Sequence, residues 1–309
     1  MEACNIRTGI EDEILFILNP VAGSGRSGKM FDEAEALLKQ AGVNYSVIKT
    51  EHPGHATEIA QKAVGEGSKF IVAVGGDGTV GEVAPVLLGK DELTFGVLPF
   101  GTGNDFAKSL NIPSNAEKAV EILLSNNVKK VDMGFAAELH GEKRQKFFVN
   151  VAGQGFDVSV LENTAKHAKK AKGMLPYLIG VAEALIHKTK LRVRIKCKEL
   201  EKELDMLICI VGNGKCFGGG MLGTPLAEVD DGKFDICLVK DVSTLTFLRL
   251  LPAFIKGKHI KSKVVNYFRT SEIIIDSDEN YLIETDGEII LRTPVLYKIL
   301  PGVLRVIKA

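Results

Sequence analysis

The chain of 309 residues carries no excess charge of either sign, with 39 Lys plus Arg against 39 Asp plus Glu. No global field therefore draws it to nucleic acid or to an anionic surface, and only a local basic patch could serve that purpose. It has five cysteines, Cys4, Cys197, Cys209, Cys216 and Cys237, with no CxxC pair among them. An odd count without paired spacing excludes a disulfide framework and a zinc knuckle, and a reducing cytoplasm is the expected setting. No apolar run approaches the ~20 residues needed to cross a bilayer. The early acids Glu2, Glu11 and Asp12 stand where an export signal would have a basic start and an apolar stretch, so a soluble or peripheral protein is expected. There is no internal repeat or low-complexity tract. The six histidines, His52, His55 and His167 among them, show no metal-binding spacing.

A chain of this length buries a large core without staples, and two domains are the default. From Ile14 onward, short apolar runs (ILFIL, VNYSVIK, FIVAVGG, TFGVLPF) alternate with helical patterns. That rhythm reads as successive βαβ units, hence an α/β fold with an N-terminal parallel sheet over residues 1–137. Near Glu138, "ELHGEKRQ" reads as a solvated turn before the strand-like "KFFVNVAG". LRVRIKC, DMLICIVGN, FDICLVK, KVVNYF, SEIIIDS and YLIET follow, with helical stretches around Leu175–His187 and Leu245–Ile255. These predict a second, mainly antiparallel β domain over 138–290. The closing strands LYKIL and LRVIKA, within 291–309, are expected to return to the first domain.

Three polar glycine loops, Asn19–Gly28, Gly75–Gly81 and Pro99–Asp105, fall at the carboxyl ends of predicted strands, where parallel sheets bind ligands. In "NPVAGSGRSGKMF", Gly23, Gly25 and Gly28 spell a dinucleotide fingerprint, with Glu51 at only an approximate offset for the ribose. Gly23, Gly28 and Lys29 nearly make a P-loop, but Met30 stands where a magnesium-binding hydroxyl belongs. A purely structural turn is the third alternative. In "VGGDGTVGEV", Gly75, Gly76 and Gly78 permit close backbone approach, while Asp77 and Thr79 place a carboxylate and a hydroxyl at a helix entrance. A simple helix cap needs one polar residue and not three glycines around an acid.

Taken together, NPVAGSGRSGK, GGDGT and "PFGTGNDFAKSL" resemble the bacterial diacylglycerol kinase and lipid kinase family, whose catalytic domain is similar to those of sphingosine and ceramide kinases. GGDGT alone is shared with NAD kinases. "NVAGQGFD" (150–157), "GNGKCFGGG" (212–220), "PLAEVDDGKFD" (225–235) and "DGE" (286–288) extend the resemblance through nearly the whole chain. Ile289 follows DGE where the family frequently has proline.

The resemblance implies a kinase that uses ATP and Mg2+, with nucleotide between the domains and a membrane lipid, diacylglycerol first, as acceptor. By motif, Asn19, Pro20, Val21, Ala22, Gly23, Thr50 and Thr102 would meet the nucleotide, and Gly75, Gly76, Asp77, Gly78, Thr79, Val80 and Gly81 would wrap its phosphates. Glu288 would be the general base and Asp77 part of an acid, water and magnesium network near the transferred group. Asp105 belongs to the site in an unspecified capacity. Asp231 would hold a structural magnesium with the backbone carbonyls of Glu228 and Lys233. Read without the family, "TDGEI" is also an ordinary hairpin, "DDG" a solvated turn, and Asn104 or Asp105 a helix cap.

A kinase acting on a membrane lipid docks transiently, here at the inner face of the cell membrane. Two stretches offer basic and apolar residues for this: Lys166, Lys169, Lys170 and Lys172 before Met174, Leu175 and Tyr177, and Phe247, Leu248, Leu251 and Phe254 before Lys256, Lys258, Lys261 and Lys263. Both also read as solvated faces of core helices. Two other classes stay open: a kinase of NAD or another soluble alcohol, and a sensor that binds ATP or lipid without turnover. Nucleic acid is not an expected partner, and a homodimer is left open.

Overall fold

The computed structural model describes residues 10, 12–168, 175–188, 190–198 and 200–309. The chain divides into two units, the first holding residues up to Asp132 together with Gly302–Ala309, the second Met133–Pro301. In the first, β1 (Ile14–Leu18), α1 (Arg26–Gln40), β2 (Tyr45–Lys49), α2 (His55–Gly65), β3 (Phe70–Gly75), α3 (Asp77–Val83), β4 (Thr94–Pro99), α4 (Asp105–Ser109) and α5 (Ala116–Leu124) follow in order. The strands lie in the order β2-β1-β3-β4, all parallel. β1, β3 and β4 are buried along their whole length, as parallel strands covered on both faces must be, and the edge strand β2 is partly exposed. α1 buries Phe31, Ala34 and Leu38 at helical spacing, and α5 starts at Asn115, whose side chain accepts the Lys118 N–H.

This register aligns the carboxyl ends. The Thr50 N–H donates to Leu18 O at 2.8 Å, Asn19 N–H to Val74 O at 2.9 Å and Gly101 N–H to Gly75 O at 2.8 Å. All three glycine loops therefore leave the sheet along one edge.

The second unit contains β5 (Val128–Glu138), which begins in the first unit, then β6 (Gln145–Phe148), β7 (Val151–Gly155), α6 (Phe156–Ala168), α7 (Leu175–Ile186), β8 (Leu191–Lys196), β9 (Glu201–Gly212), β10 (Phe234–Lys240), α8 (Thr244–Ile255), β11 (Val265–Thr270), β12 (Glu272–Asp276), β13 (Leu282–Thr285), β14 (Glu288–Arg292) and β15 (Val295–Ile307). Its pairings are antiparallel. β9 changes partners along its length: Glu201–Met206 pair with β8, and Ile208–Gly212 lie between β7 and β10. The strand-like KFFVNVAG is two strands, because the Asp286 carboxylate takes the N–H groups of Val149, Asn150 and Val151 at 2.7–3.0 Å. LYKIL and LRVIKA are one strand, β15; LYKIL pairs with β12, and the return to the first unit begins at Gly302, with Val306 parallel to Phe95 of β4.

Phe148 organises one core of the second unit. Its ring stacks on Phe234 at 5.7 Å and meets Tyr297 edge-on at 6.5 Å. Across the β5–β6 pair it covers Gly134, where an added Cβ would fall 2.2 Å from the Phe148 ring. Gly134→Ala should therefore force the ring out of its stack and cost about 1–3 kcal/mol of stability, as overpacking does. A denaturation midpoint equal to that of the native chain would show that the ring has room to move.

Candidate functional site

The first loop curls through three successive left-handed residues, Gly23, Ser24 and Gly25, with φ of 60°, 60° and 83°. A side chain at Gly23 is excluded twice over, by this φ and because a Cβ would lie 2.8 Å from Phe100 O. Asn19 fixes the entry, its Oδ1 accepting the Val21 N–H at 3.2 Å and its Nδ2 donating to Thr79 Oγ1 at 3.3 Å. Pro20, Val21 and Ala22 form the turn, with Val21 75% exposed.

The second and third loops press backbone against backbone. A Cβ on Gly101 would lie 2.2 Å from Gly76 Cα, and one on Gly75 would lie 2.5 Å from Thr79 Oγ1. Arg26, which sequence reasoning did not single out, donates to Gly101 O at 2.9 Å and ties the first loop to the third. Thr79 and Val80 turn their side chains into the core, so any ligand contact they make is through backbone; Gly78 and Thr102 are exposed. The N–H groups opening α3 have no intrahelical acceptors, which suits an anion. Thr50 sits beside Asn19 at the same edge.

Asp77 spans two loops. Its Oδ1 accepts the N–H groups of Asp105 at 2.7 Å and Phe106 at 3.2 Å, so the cap of α4 comes from α3. Asn104 occupies the N-cap position but makes no side-chain cap; it accepts from Gly101 N–H and donates to Pro99 O and Ser114 Oγ, bracing the third loop from inside. Asp105 pairs with Lys108 at 2.9 Å. Burial, then the nearby Asp105 charge, push the Asp77 carboxyl above the usual carboxylate range, against the pull of the backbone N–H groups. Glu82, also unnoticed in the sequence, accepts from the N–H groups of Gly54 and Ala56 and caps α2.

In the second unit, DGE is the turn of the β13–β14 hairpin, with positive φ at Asp286 and Gly287. Asp286 is fixed by the three N–H groups that split β6 from β7. Glu288, on the rim and half-exposed, pairs with Lys146 at 2.7 Å, a partner 142 residues away. Beneath the turn, buried Glu284 accepts the Gly287 N–H at 2.7 Å. Gly153 leaves space there for two acids: a Cβ would lie 1.8 Å from Asp157 Oδ2 and 2.9 Å from Glu284 Oε1. Burial pushes Asp157 up to about 7, and burial followed by the Asp157 charge raises Glu284 well above the ordinary range.

Glu228, Asp231 and Lys233 share one loop, and both carboxylate oxygens of Asp231 have protein partners. The Lys233 N–H occupies Asp231 Oδ1 at 3.0 Å, and the Arg269 guanidinium occupies Oδ2. Arg269 also reaches buried Asp235 at 3.3 Å. Magnesium requires oxygen ligands in a near-octahedral array. As arranged, both oxygens of Asp231 have protein partners, and magnesium at this carboxylate would have to displace the guanidinium.

The fold does gather His52, His55 and Glu58, whose ligand atoms lie within 4.8 Å of one another. The two rings stack at 4.6 Å with 8° between planes, and the Glu51 N–H donates to His55 Nδ1, which takes that nitrogen out of any metal set. Of the first basic stretch considered for docking, Lys169, Lys170, Lys172 and Met174 lie outside the described residues. No helix among the described residues is long and apolar enough to cross a membrane.

Comparison with known proteins accords with this geometry. Residues 13–136 match the model of the diacylglycerol kinase catalytic domain, and residues 150–308 that of the YegS C-terminal NAD kinase beta sandwich-like domain. The chain is 30% identical over 299 residues to a "Probable lipid kinase YegS-like" of Pseudomonas aeruginosa, covering 96% of this chain and 94% of that one. It is 28% identical over 310 residues to a diacylglycerol kinase of Mycobacterium tuberculosis, covering 100% and 99%. A solved structure of a "putative diacylglycerol kinase" from Bacillus anthracis str. Sterne superposes with a TM-score of 0.77 at 26% identity, over 96% of this chain and 98% of that one.

Two measurements test the buried chemistry. Asp157 carries a folded-state pKa of about 7 against roughly 3.9 when unfolded, so its contribution is complete below about pH 4 and is lost as pH rises to about 7. Asp157→Asn should flatten the fall in melting temperature over that window, and an unchanged slope would assign the fall to other groups. For Asp231, the native chain should melt at the same temperature with EDTA as with magnesium, whereas Arg269→Met should melt lower and be partly restored by magnesium. A native chain destabilised by several degrees in EDTA would contradict the guanidinium as the counter-ion.

Proposed function

The chain belongs to the diacylglycerol kinase and YegS-like lipid kinase family, and on that premise we propose that it transfers the γ-phosphoryl group of ATP to a lipid hydroxyl, with diacylglycerol first among acceptors and phosphatidic acid as the product. The observation that carries the reading is the side-chain-free meeting of Gly75–Gly76 with Gly101, braced by Arg26 and Asn104. Gly101 turns its own N–H inward to Gly75 O and Asn104 Oδ1, and the close contact sets the third loop beside the N–H groups that open α3, which are left for a polyanion.

Phosphoryl transfer asks a protein for positioning, charge neutralisation and a base, and ATP with its magnesium supplies the transferable group. Asn19–Gly23 and Gly75–Gly81 are assigned to phosphate binding, with Thr50 and Thr102 at the margin. Asp77 fixes the third loop through the Asp105 and Phe106 N–H groups, so its carboxylate sets the geometry of both loops at once. Glu288 is assigned to accept the proton of the lipid hydroxyl. Lys146 holds it in place until then and is a positioning residue for it. The lipid acceptor implies transient contact with the inner face of the cell membrane.

Labelled γ-phosphate from ATP, offered with diacylglycerol, phosphatidylglycerol, ceramide or NAD, tests this reading. Lipid-dependent product is expected, reduced ~100-fold or more by Glu288→Gln and by Asp77→Asn. Phosphorylated NAD with no lipid product would assign the chain to soluble acceptors. ATP binding without any product would favour a sensor.

A further inference from the structure

The reading as a lipid kinase requires a surface that meets the membrane, and α8 carries an exposed apolar face that the site does not use. This helix is anchored from within. Ser243 caps it, accepting the Thr246 N–H, and Phe247, Leu250 and Phe254 are buried, with Phe247 against Phe156 and Phe254 against Phe217 and His259. Its outer face is apolar as well: Leu245 is 58%, Leu248 44% and Ile255 50% exposed. With exposed Pro252, these residues recur at i, i+3, i+7 and i+10, a single stripe along the helix. Leu226, 57% exposed, follows Pro225, which packs under Gly257 just beyond the helix end.

Scattered exposed leucines are ordinary on soluble surfaces, but an ordered stripe is not. The charge along this segment is also one-sided. Between Val242 and Val265 stand Arg249, Lys256, Lys258, Lys261 and Lys263, and no acid. All five are exposed, in a chain whose net charge is zero. A protein partner would match the apolar stripe, yet it would also have to supply a matching row of acids. An anionic lipid surface supplies both an apolar interior and a sheet of negative headgroups, and long basic side chains reach those headgroups while their stems lie on acyl chains.

We propose that the outer face of α8, Leu245, Leu248 and Ile255 with Lys256 and Lys258, is the surface by which this protein docks on an anionic membrane. The proposal rests on the lipid kinase reading for its purpose, but it is tested by binding and not by turnover. The helix lies in the interface plane with its stripe inserted and its basic end at the headgroups. Phe247 and Phe254, named with this stretch on sequence grounds, are not part of the surface, because they face the core.

Co-sedimentation of the full chain with phosphatidylglycerol vesicles, and with neutral phosphatidylcholine vesicles, tests it. The native chain should bind the anionic vesicles and lose binding as salt rises. Leu248→Glu with Ile255→Glu, and separately Lys256→Glu with Lys258→Glu, should each weaken binding about tenfold or more, since each basic residue near the surface is worth about fivefold. Circular dichroism and phosphorylation of a water-soluble short-chain diacylglycerol should stay at native values. Native-like vesicle binding by both variants, no vesicle binding by the native chain, or a native dimer that these changes turn into monomer would each overturn the proposal. Failure to phosphorylate any lipid would count against the kinase reading alone, since vesicle binding is read without turnover.

Discussion

Backbone meets backbone where Gly101 passes Gly76, and much of the candidate nucleotide site follows from that contact. A single Cβ on Gly101 would fall 2.2 Å from Gly76 Cα, so the second and third loops can share one edge of the sheet only while Gly101 lacks a side chain. The polar groups around the contact hold it in place. Asp77 reaches from α3 to the N–H groups opening α4, Asn104 folds back under its own loop, and Arg26 brings in the first loop. Three loops from three βα turns thereby become one object, organised before any ligand arrives, which is the condition for electrostatic stabilisation of a phosphoryl group.

The second unit uses carboxylates in a comparable way, with each acid given a separate task by its surroundings. Asp286 spends its charge on three backbone N–H groups and shapes the turn. Glu288, two residues on, stands at the rim with a lysine. Glu284 and Asp157 lie beneath, buried over Gly153, where desolvation favours their neutral forms. At the other acidic turn, Arg269 supplies the positive charge that the family resemblance would assign to magnesium.

The parallel sheet was legible in the sequence because fully buried strands read as unbroken apolar runs, and the glycine loops because close approach needs glycine. The partners of those loops were not. Arg26 acts on Gly101 75 residues away and Lys146 on Glu288 142 residues away, and no local pattern marks either. Asn104 was legible as a cap by its position and residue type, but its left-handed backbone turns the side chain inward to the loop. β15 read as two strands because Pro301 and Gly302 resemble a turn, whereas the strand carries on through them from one unit into the other. The outer stripe of α8 was mixed in the sequence with residues of its inner face, since periodicity alone does not say which side is covered.

The central claim is that the meeting of Gly76 and Gly101 builds the polyphosphate site. Calorimetric titration of a non-hydrolysable ATP analogue with magnesium into the native chain and into Gly101→Ala tests it most directly, with circular dichroism to confirm that the sheet persists. The account predicts analogue binding by the native chain and a loss of about tenfold or more in the variant, roughly 1.4 kcal/mol, with the fold retained. Equal affinity in the two would contradict it, and would mean that the phosphates are held elsewhere.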